Sequence, residues 1–177
     1  GYFSILFEWI YQGKNIPVLG NGDNIYQFVH ADDLADACIA AANTKGLNVF
    51  NIGASDFGTM RQTLEDLVHH AGSASRVVGV NKSIAKLGMN LTSVIGLSPL
   101  GPYHSLMYGE SMYFDLSHAA ENLGYQPKYS NRQLFEDSYD WYVANRSAIL
   151  SGAISGSGHQ SKLKQGILAV IPKLLFW

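Results

Sequence analysis

One cysteine in 177 residues has no partner for an internal disulfide. Cys38 falls on the apolar side of a predicted helix, where it reads as a small buried hydrophobe. A chain without disulfides suits a reducing, cytoplasmic compartment. Charge of one sign is also scarce: the formal net charge is −2, and no run of lysine or arginine exceeds two residues. Nucleic-acid binding, which needs a basic footprint, is therefore not expected. The six histidines show no zinc-like spacing with a thiol, so no metal site is expected. No uncharged apolar run reaches the roughly 18 residues of an ordinary membrane-spanning helix, and no secretory signal is visible. The chain opens on Gly1 without a methionine and already in a helical pattern, with Phe3, Leu6, Phe7 and Ile10 on one face. Such a face needs something to pack on, and a piece of a longer protein is the expectation.

What is present is a globular composition, 47% hydrophobic and 15% charged, in a chain long enough for one domain that buries roughly 70% of its unfolded surface. Strand and helix patterns alternate, which argues for an α/β fold. The first helix should stop near Gly13. Ile16–Leu19 and Ile25–Val29 read as strands joined by the Gly20–Asn24 turn. A second helix follows, with Leu34, Ala37, Cys38 and Ala41 on its inner face. Asn48–Gly53 reads as a third strand. Thr59-Met-Arg-Gln62 has capping-box form and heads a helix with Leu64, Leu67, Val68 and Ala71 aligned. Arg76–Val80 reads as a strand, Lys82–Gly96 as a weak helix and Leu97–Gly109 as a loop. Asp115 precedes a short helix that Gly124 stops. The clearest helix covers Asn131–Arg146, with Leu134, Phe135, Trp141 and Tyr142 inward and Glu136, Asp137 and Asp140 outward.

Two consecutive aspartates, Asp32 and Asp33, stand where the Ile25–Val29 run meets the second helix. An aspartate at a helix start accepts a bond from an orphan N–H and complements the positive helix end, which is typically worth about 1 kcal/mol. A metal pair would need more carboxylates nearby than Asp36 alone. The pair therefore reads as a cap.

This cap sits in a longer pattern. The run GKNIPVLGNGDNIYQFVHADDLADACIAA, followed by NVFNIG, resembles the second half of the extended short-chain dehydrogenase/reductase family, the NAD-dependent epimerases and dehydratases. YFDLSHAAENLGYQPKYS (113–130) is similar to that family's Asp-x-Ser…Leu-Gly-[Trp/Tyr]-x-Pro motif, and the acidic helix ending in YDWYVAN (139–145) also fits it. The resemblance covers roughly residues 1–147. It implies the C-terminal part of a Rossmann-like enzyme: the last strand or strands of the sheet plus the substrate-binding lobe, within a domain of residues 1–150. In the family, the glycine-rich dinucleotide loop and the catalytic Tyr-x-x-x-Lys lie before this region. Neither is found here. Gly20-Asn-Gly22 lacks a third glycine and a following helix, and no tyrosine has lysine four residues on; Tyr142 with Arg146 comes nearest. Arginine does not deprotonate and cannot replace that lysine. No catalytic or cofactor-binding residue is therefore assigned. NAD or NADP is implied for the complete protein, on a half absent from this sequence, and members commonly dimerise through helices of that half.

The family's usual substrate is a nucleotide-sugar whose diphosphate is held by the arginine of an Arg-Asp-Phe triplet. Here the triplet reads Tyr26-Gln27-Phe28, and a second arginine position falls near His104 or Ser105. A phenol, an amide and an imidazole hold a diphosphate poorly but suit a less charged ligand. A nucleotide-sugar held by other residues and a less charged, apolar substrate stay open as alternatives. Tyr26 and Gln27 are the first candidates for small-molecule contact, followed by His30, Phe3, Tyr103 and His104. Beyond residue 150, Ser151–Ser161 has linker composition. In 162–177, Leu163, Ile167, Val170, Ile171 and Leu174 group on one side of a helical projection, with Lys162, Gln165 and Lys173 on the other, while Lys164 breaks the pattern and Pro172 would interrupt a continuous helix. That tail suits either a peripheral membrane contact or docking on protein. A non-catalytic binding or membrane-associated module on the same half-fold is the rival to the enzyme reading.

Overall fold

The computed structural model describes residues 2–83, 85 and 110–152. Its elements run α1 (Tyr2–Tyr11), β1 (Ile16–Leu19), α2 (Ala31–Ala41), α3 (Met60–His70), β2 (Val77–Val80), α4 (Ser117–Leu123) and α5 (Asn131–Leu150). β1 and β2 pair in parallel, with Ile16 opposite Val77 and Leu19 opposite Val80. A parallel pair needs a long crossover, and α2 and α3 lie within it. The calls on 86–109 and on the tail lie outside the described residues.

The core forms where the apolar stripes of three helices meet β1. Leu6, Phe7 and Ile10 of α1, Leu64 and Leu67 of α3, and Phe135, Tyr139 and Tyr142 of α5 close over Ile16 and Val18. Edge-to-face rings fill the space between them: Phe135 lies 5.1 Å from both Phe3 and Phe28, and Phe7 lies 5.7 Å from Tyr139. Across the α1–α5 contact, the buried Glu8 carboxylate accepts from Arg146 Nη2 (2.7 Å), Arg146 Nε (2.8 Å) and the Tyr142 hydroxyl (2.6 Å). Burial works to raise the Glu8 pKa, but the bonds from Arg146, Tyr142 and Gln12 outweigh it and hold the group at about 2. The same burial and carboxylate contact push the Tyr142 phenol up. Arg146 also lies over the Tyr11 ring at 4.3 Å, so this ion pair joins the two helices with its donors and acceptors satisfied.

A second, smaller cluster joins Ala37 of α2 to Ala119 and Tyr125, with Phe50, Ile52, Leu116 and Leu123 packed around them. Several sequence expectations give way here. Asn48–Gly53 does not pair as a strand. Among the described residues Leu47–Ile52 makes no backbone–backbone hydrogen bond. Its side chains nevertheless alternate: Phe50 and Ile52 turn inward, while Leu47 and Val49 are 99% and 82% exposed. On α2, Ala37 is buried but Leu34 and Cys38 are exposed, as is Ile39. The expected buried thiol is therefore on the surface, because nothing among the described residues covers that side of the helix. Trp141 also faces outward and is about half exposed; Phe135, Tyr139 and Tyr142 take the inward places at four- and three-residue spacing.

The aspartate pair also divides differently. His30 is the cap of α2, its Nδ1 accepting from Asp32 N at 3.2 Å. Asp32 lies in the exposed first turn. Asp33 is 2% exposed, and its carboxylate accepts the backbone N–H groups of Lys128 (3.0 and 3.1 Å) and Tyr129 (3.2 Å). It fixes the loop that leads into α5, whose cap is a reciprocal box between Ser130 and Gln133. At α3 the Thr59 hydroxyl does accept Gln62 N, as its motif requires.

Candidate functional site

The Tyr26-Gln27-Phe28 triplet lies at the crossing of three irregular segments. Ile25–Val29 was expected to be a strand, but only Ile25 and Tyr26 form isolated bridges, to Thr59 and Met112. Side chains take over where a ladder would continue. Asn131, at the start of α5 and 2% exposed, accepts Phe28 N at 3.0 Å and donates to the carbonyls of Tyr26 (2.7 Å) and Phe57 (2.9 Å). Gln27 is buried; its Nε2 donates to Ala54 O at 2.6 Å and its Oε1 accepts Phe114 N at 2.9 Å. Gly53 is required beside it, since a Cβ there would lie 2.6 Å from the Gln27 side chain. Tyr125 closes the back of the crossing by donating to Gly53 O at 2.9 Å, and burial raises its phenol pKa.

The side chains around this crossing are largely aromatic. The Tyr26 ring lies 5.0 Å from Phe28, and Phe57 stacks on Tyr113 at 5.8 Å. Tyr113 and Phe114 are about half exposed. Such a surface offers apolar faces and phenolic hydroxyls, with no charge at the triplet itself. Of the candidates from sequence, Tyr26 and Gln27 meet here. Phe3 lies behind them, its ring 5.7 Å from Phe28 and within the core. His30 is apart from the crossing, stacked on Tyr129 at 3.9 Å. Tyr103 and His104 are outside the described residues. Sequence reasoning missed Asn131 and Tyr113; Asn131 carried a signal, a polar residue at the first turn of a strongly capped helix.

The Gly20-Asn21-Gly22 turn does not fit a dinucleotide. The Gly20-Asn21-Gly22 turn after β1 has its Gly20 and Gly22 amides bonded to Val80 O and Leu19 O, while Arg61 Nε donates to Asn21 O. Those amides cannot also cradle a pyrophosphate, and no helix opens on the turn.

The fold corresponds to the C-terminal part of a Rossmann-like extended short-chain dehydrogenase. It matches the epimerase Mth375 from Methanothermobacter thermautotrophicus over 82% of this chain and 38% of that one, with a TM-score of 0.61 at 14% identity. It matches UDP-glucose 4-epimerase with UDP-glucose from Thermotoga maritima over 82% and 40%, with a TM-score of 0.60 at 20% identity. Residues 2–53 match the NAD dependent epimerase/dehydratase family. In sequence the chain is 53% identical over 175 residues to an uncharacterized protein, y4nG, of Sinorhizobium fredii; this match spans 99% of this chain and 44% of the relative. It is 35% identical over 133 residues to GDP-L-fucose synthase 1 of Arabidopsis thaliana, spanning 75% of this chain and 34% of that protein. The chain is thus similar to the NAD dependent epimerase/dehydratase family over residues 2–53, and it spans less than half the length of these relatives.

Proposed function

We propose that this chain is the substrate-binding, C-terminal portion of an NAD(P)-dependent epimerase/dehydratase-type oxidoreductase, with no hydride-transfer groups of its own. The observation that carries the reading is the side formed by α2 and 47–53. Leu47 and Val49 stand in solvent on a segment whose other face is packed and whose residues 47–52 make no backbone–backbone hydrogen bond among the described residues. In an α/β sheet both faces and both edges of an interior strand are covered. An additional α/β half, carrying the dinucleotide, would supply that cover. NAD(P) is assigned to it and not to the residues described here.

Within this portion, Tyr26 is the proposed substrate contact, together with Tyr103 and His104. Gln27 holds the 53–54 and 114 backbone segments beside it. Phe3 supports Phe28 from below, and His30 shapes the start of α2. A nucleotide-sugar is supported by the relatives' names, a less charged ligand by the uncharged triplet. The test joins the 177-residue chain to the preceding portion of its Sinorhizobium relative. The joined protein is titrated with NAD, and then with UDP-glucose and with a sterol or terpenoid alcohol. NAD binding by the joined protein alone supports the enzyme reading. If the two portions do not associate, the chain is a binding module instead.

A further inference from the structure

Histidine is outside the usual set of helix-capping residues, Ser, Thr, Asp and Asn, yet His30 caps α2. Its Nδ1 accepts from Asp32 N at 3.2 Å. A backbone N–H can only donate, so Nδ1 is unprotonated and the ring's proton is on Nε2. Tyr129 stacks on the ring at 3.9 Å with a tilt of 21°, and the His30 side chain is 17% exposed. Two carboxylates flank it. Asp32 Oδ2 of α2 lies 3.8 Å from Nδ1, and Asp137 Oδ2 of α5 lies 3.8 Å from Nε2. Both are beyond hydrogen-bond length from the neutral ring. The Asp33 carboxylate of the same turn is held by the Lys128 and Tyr129 amides, and the Tyr129 hydroxyl reaches Asp32 Oδ2 at 3.5 Å. Other charges on these elements are engaged elsewhere: Lys128 with Asp36, Arg132 with Glu136, and Asp140 with His70.

We propose that His30 is a proton-operated joint between α2 and α5, a role independent of the proposed function. When Nδ1 takes up a proton it becomes a donor and no longer accepts Asp32 N, so α2 loses its cap. The new charge also stands at the positive end of the helix, which repels it. Asp32 and Asp137 attract the same charge, and neither bonds the neutral ring. Protonation therefore exchanges a bond within the first turn of α2 for an ion pair that reaches α5. The joint changes partner. Its position carries the consequence: the first turn of α2 contains Asp33, which fixes the backbone of Lys128 and Tyr129, and it closely follows Tyr26-Gln27-Phe28. The charge on one ring thus governs the start of α2 and, through Asp33, the loop that leads into α5.

The test is nuclear magnetic resonance on the full 177-residue chain, isotope-labelled at histidine and along the backbone, from about pH 8 to about pH 5, the range in which imidazoles titrate. At the alkaline end the His30 ring should carry its proton on Nε2 alone. As the ring charges, the Asp32 and Leu34 amides should lose about fivefold in protection, corrected for intrinsic exchange, which is the loss of one cap. The α5 amides should keep theirs. His30→Asn supplies an acceptor that does not titrate, so the same first-turn amides should hold their protection throughout; His30→Ser serves if that variant does not fold. Asp137→Asn should make the ring charge at lower pH, because it removes the attraction from α5. A proton on Nδ1 at the alkaline end would overturn the proposal. So would an equal fall in first-turn protection in His30→Asn, which would place the titrating group elsewhere. A ring titration unmoved by Asp137→Asn would also overturn it, leaving α5 out of the joint.

Discussion

The two sides of this molecule are finished to different degrees. On the α1–β1–α3–α5 side, ten buried side chains form one cluster, and the buried Glu8 carboxylate is met by Arg146, Tyr142 and Gln12. On the α2–α4 side the cluster contains three buried residues, and Leu34, Cys38, Ile39, Leu47 and Val49 are exposed beside it. The amino-acid types do not explain the contrast, because both sides are rich in aliphatic residues. What differs is the number of layers available to cover them. A helix stripe or an alternating segment buries its apolar face only where a second element is present. The first side contains its partners; the second leaves its apolar residues uncovered by the described residues.

That difference can be broken most severely from the packed side. Phe135→Ala, at 1% exposure and in contact with the Phe3 and Phe28 rings, should cost about 3–5 kcal/mol in denaturant melts. Arg146→Met should cost about 3 kcal/mol, because it leaves the Glu8 charge buried without its guanidinium. The pH dependence has a definite sign. Glu8 has a folded pKa of about 2 against an ordinary 4.5, so its stabilisation is fully present above pH 4.5 and is lost as pH falls from there toward 2. The contribution is about 3 kcal/mol, and Glu8→Gln should flatten the acid limb of a stability–pH curve. Asp33→Ala removes the acceptor for the Lys128 and Tyr129 amides; a loss of about 2 kcal/mol in the same melts is expected. The smallest effect belongs to the unfinished side. Val49→Ser should change the stability of this chain by less than about 0.5 kcal/mol, yet weaken its association with a complementary α/β half in a pull-down titration.

The same contrast governs how much could be read from the sequence. Where a pattern closes on itself locally, it was legible: the Leu64–Leu67 stripe behind Thr59 and the Gly124 stop with its left-handed φ of 65° stand as expected, and α5 begins at Asn131 as expected but runs on to Leu150 with Trp141 outward. The two strands that pair, Ile16–Leu19 and Val77–Val80, were also visible as β-branched runs. Ile25–Val29 and Asn48–Gly53 carry equally good strand patterns, but the first forms only isolated bridges and residues 47–52 make no backbone–backbone hydrogen bond among the described residues. Asn131 ties down the first, and the second is left with its face exposed. A strand is a relation between two segments, and a single segment cannot specify it. The cap of α2 was misassigned for a related reason. Asp33 looked local but acts across 95 residues on Lys128, leaving His30 to accept from Asp32 N. At the candidate site the Tyr26-Gln27 pair was visible through its motif, whereas Tyr113 depended on a distant segment folding against it.

The most direct test of the unfinished side is amide hydrogen exchange on the 177-residue chain, alone and joined to the preceding portion of its Sinorhizobium relative. The slow amides of α5 serve as the internal record of folding. If the 47–53 segment is a strand awaiting its sheet, the amides of Val49–Ile52 exchange freely in the chain alone. They should then slow by about a hundredfold or more once the partner half is present. Unchanged exchange at those amides, with the two portions demonstrably joined and α5 protected, would contradict the account.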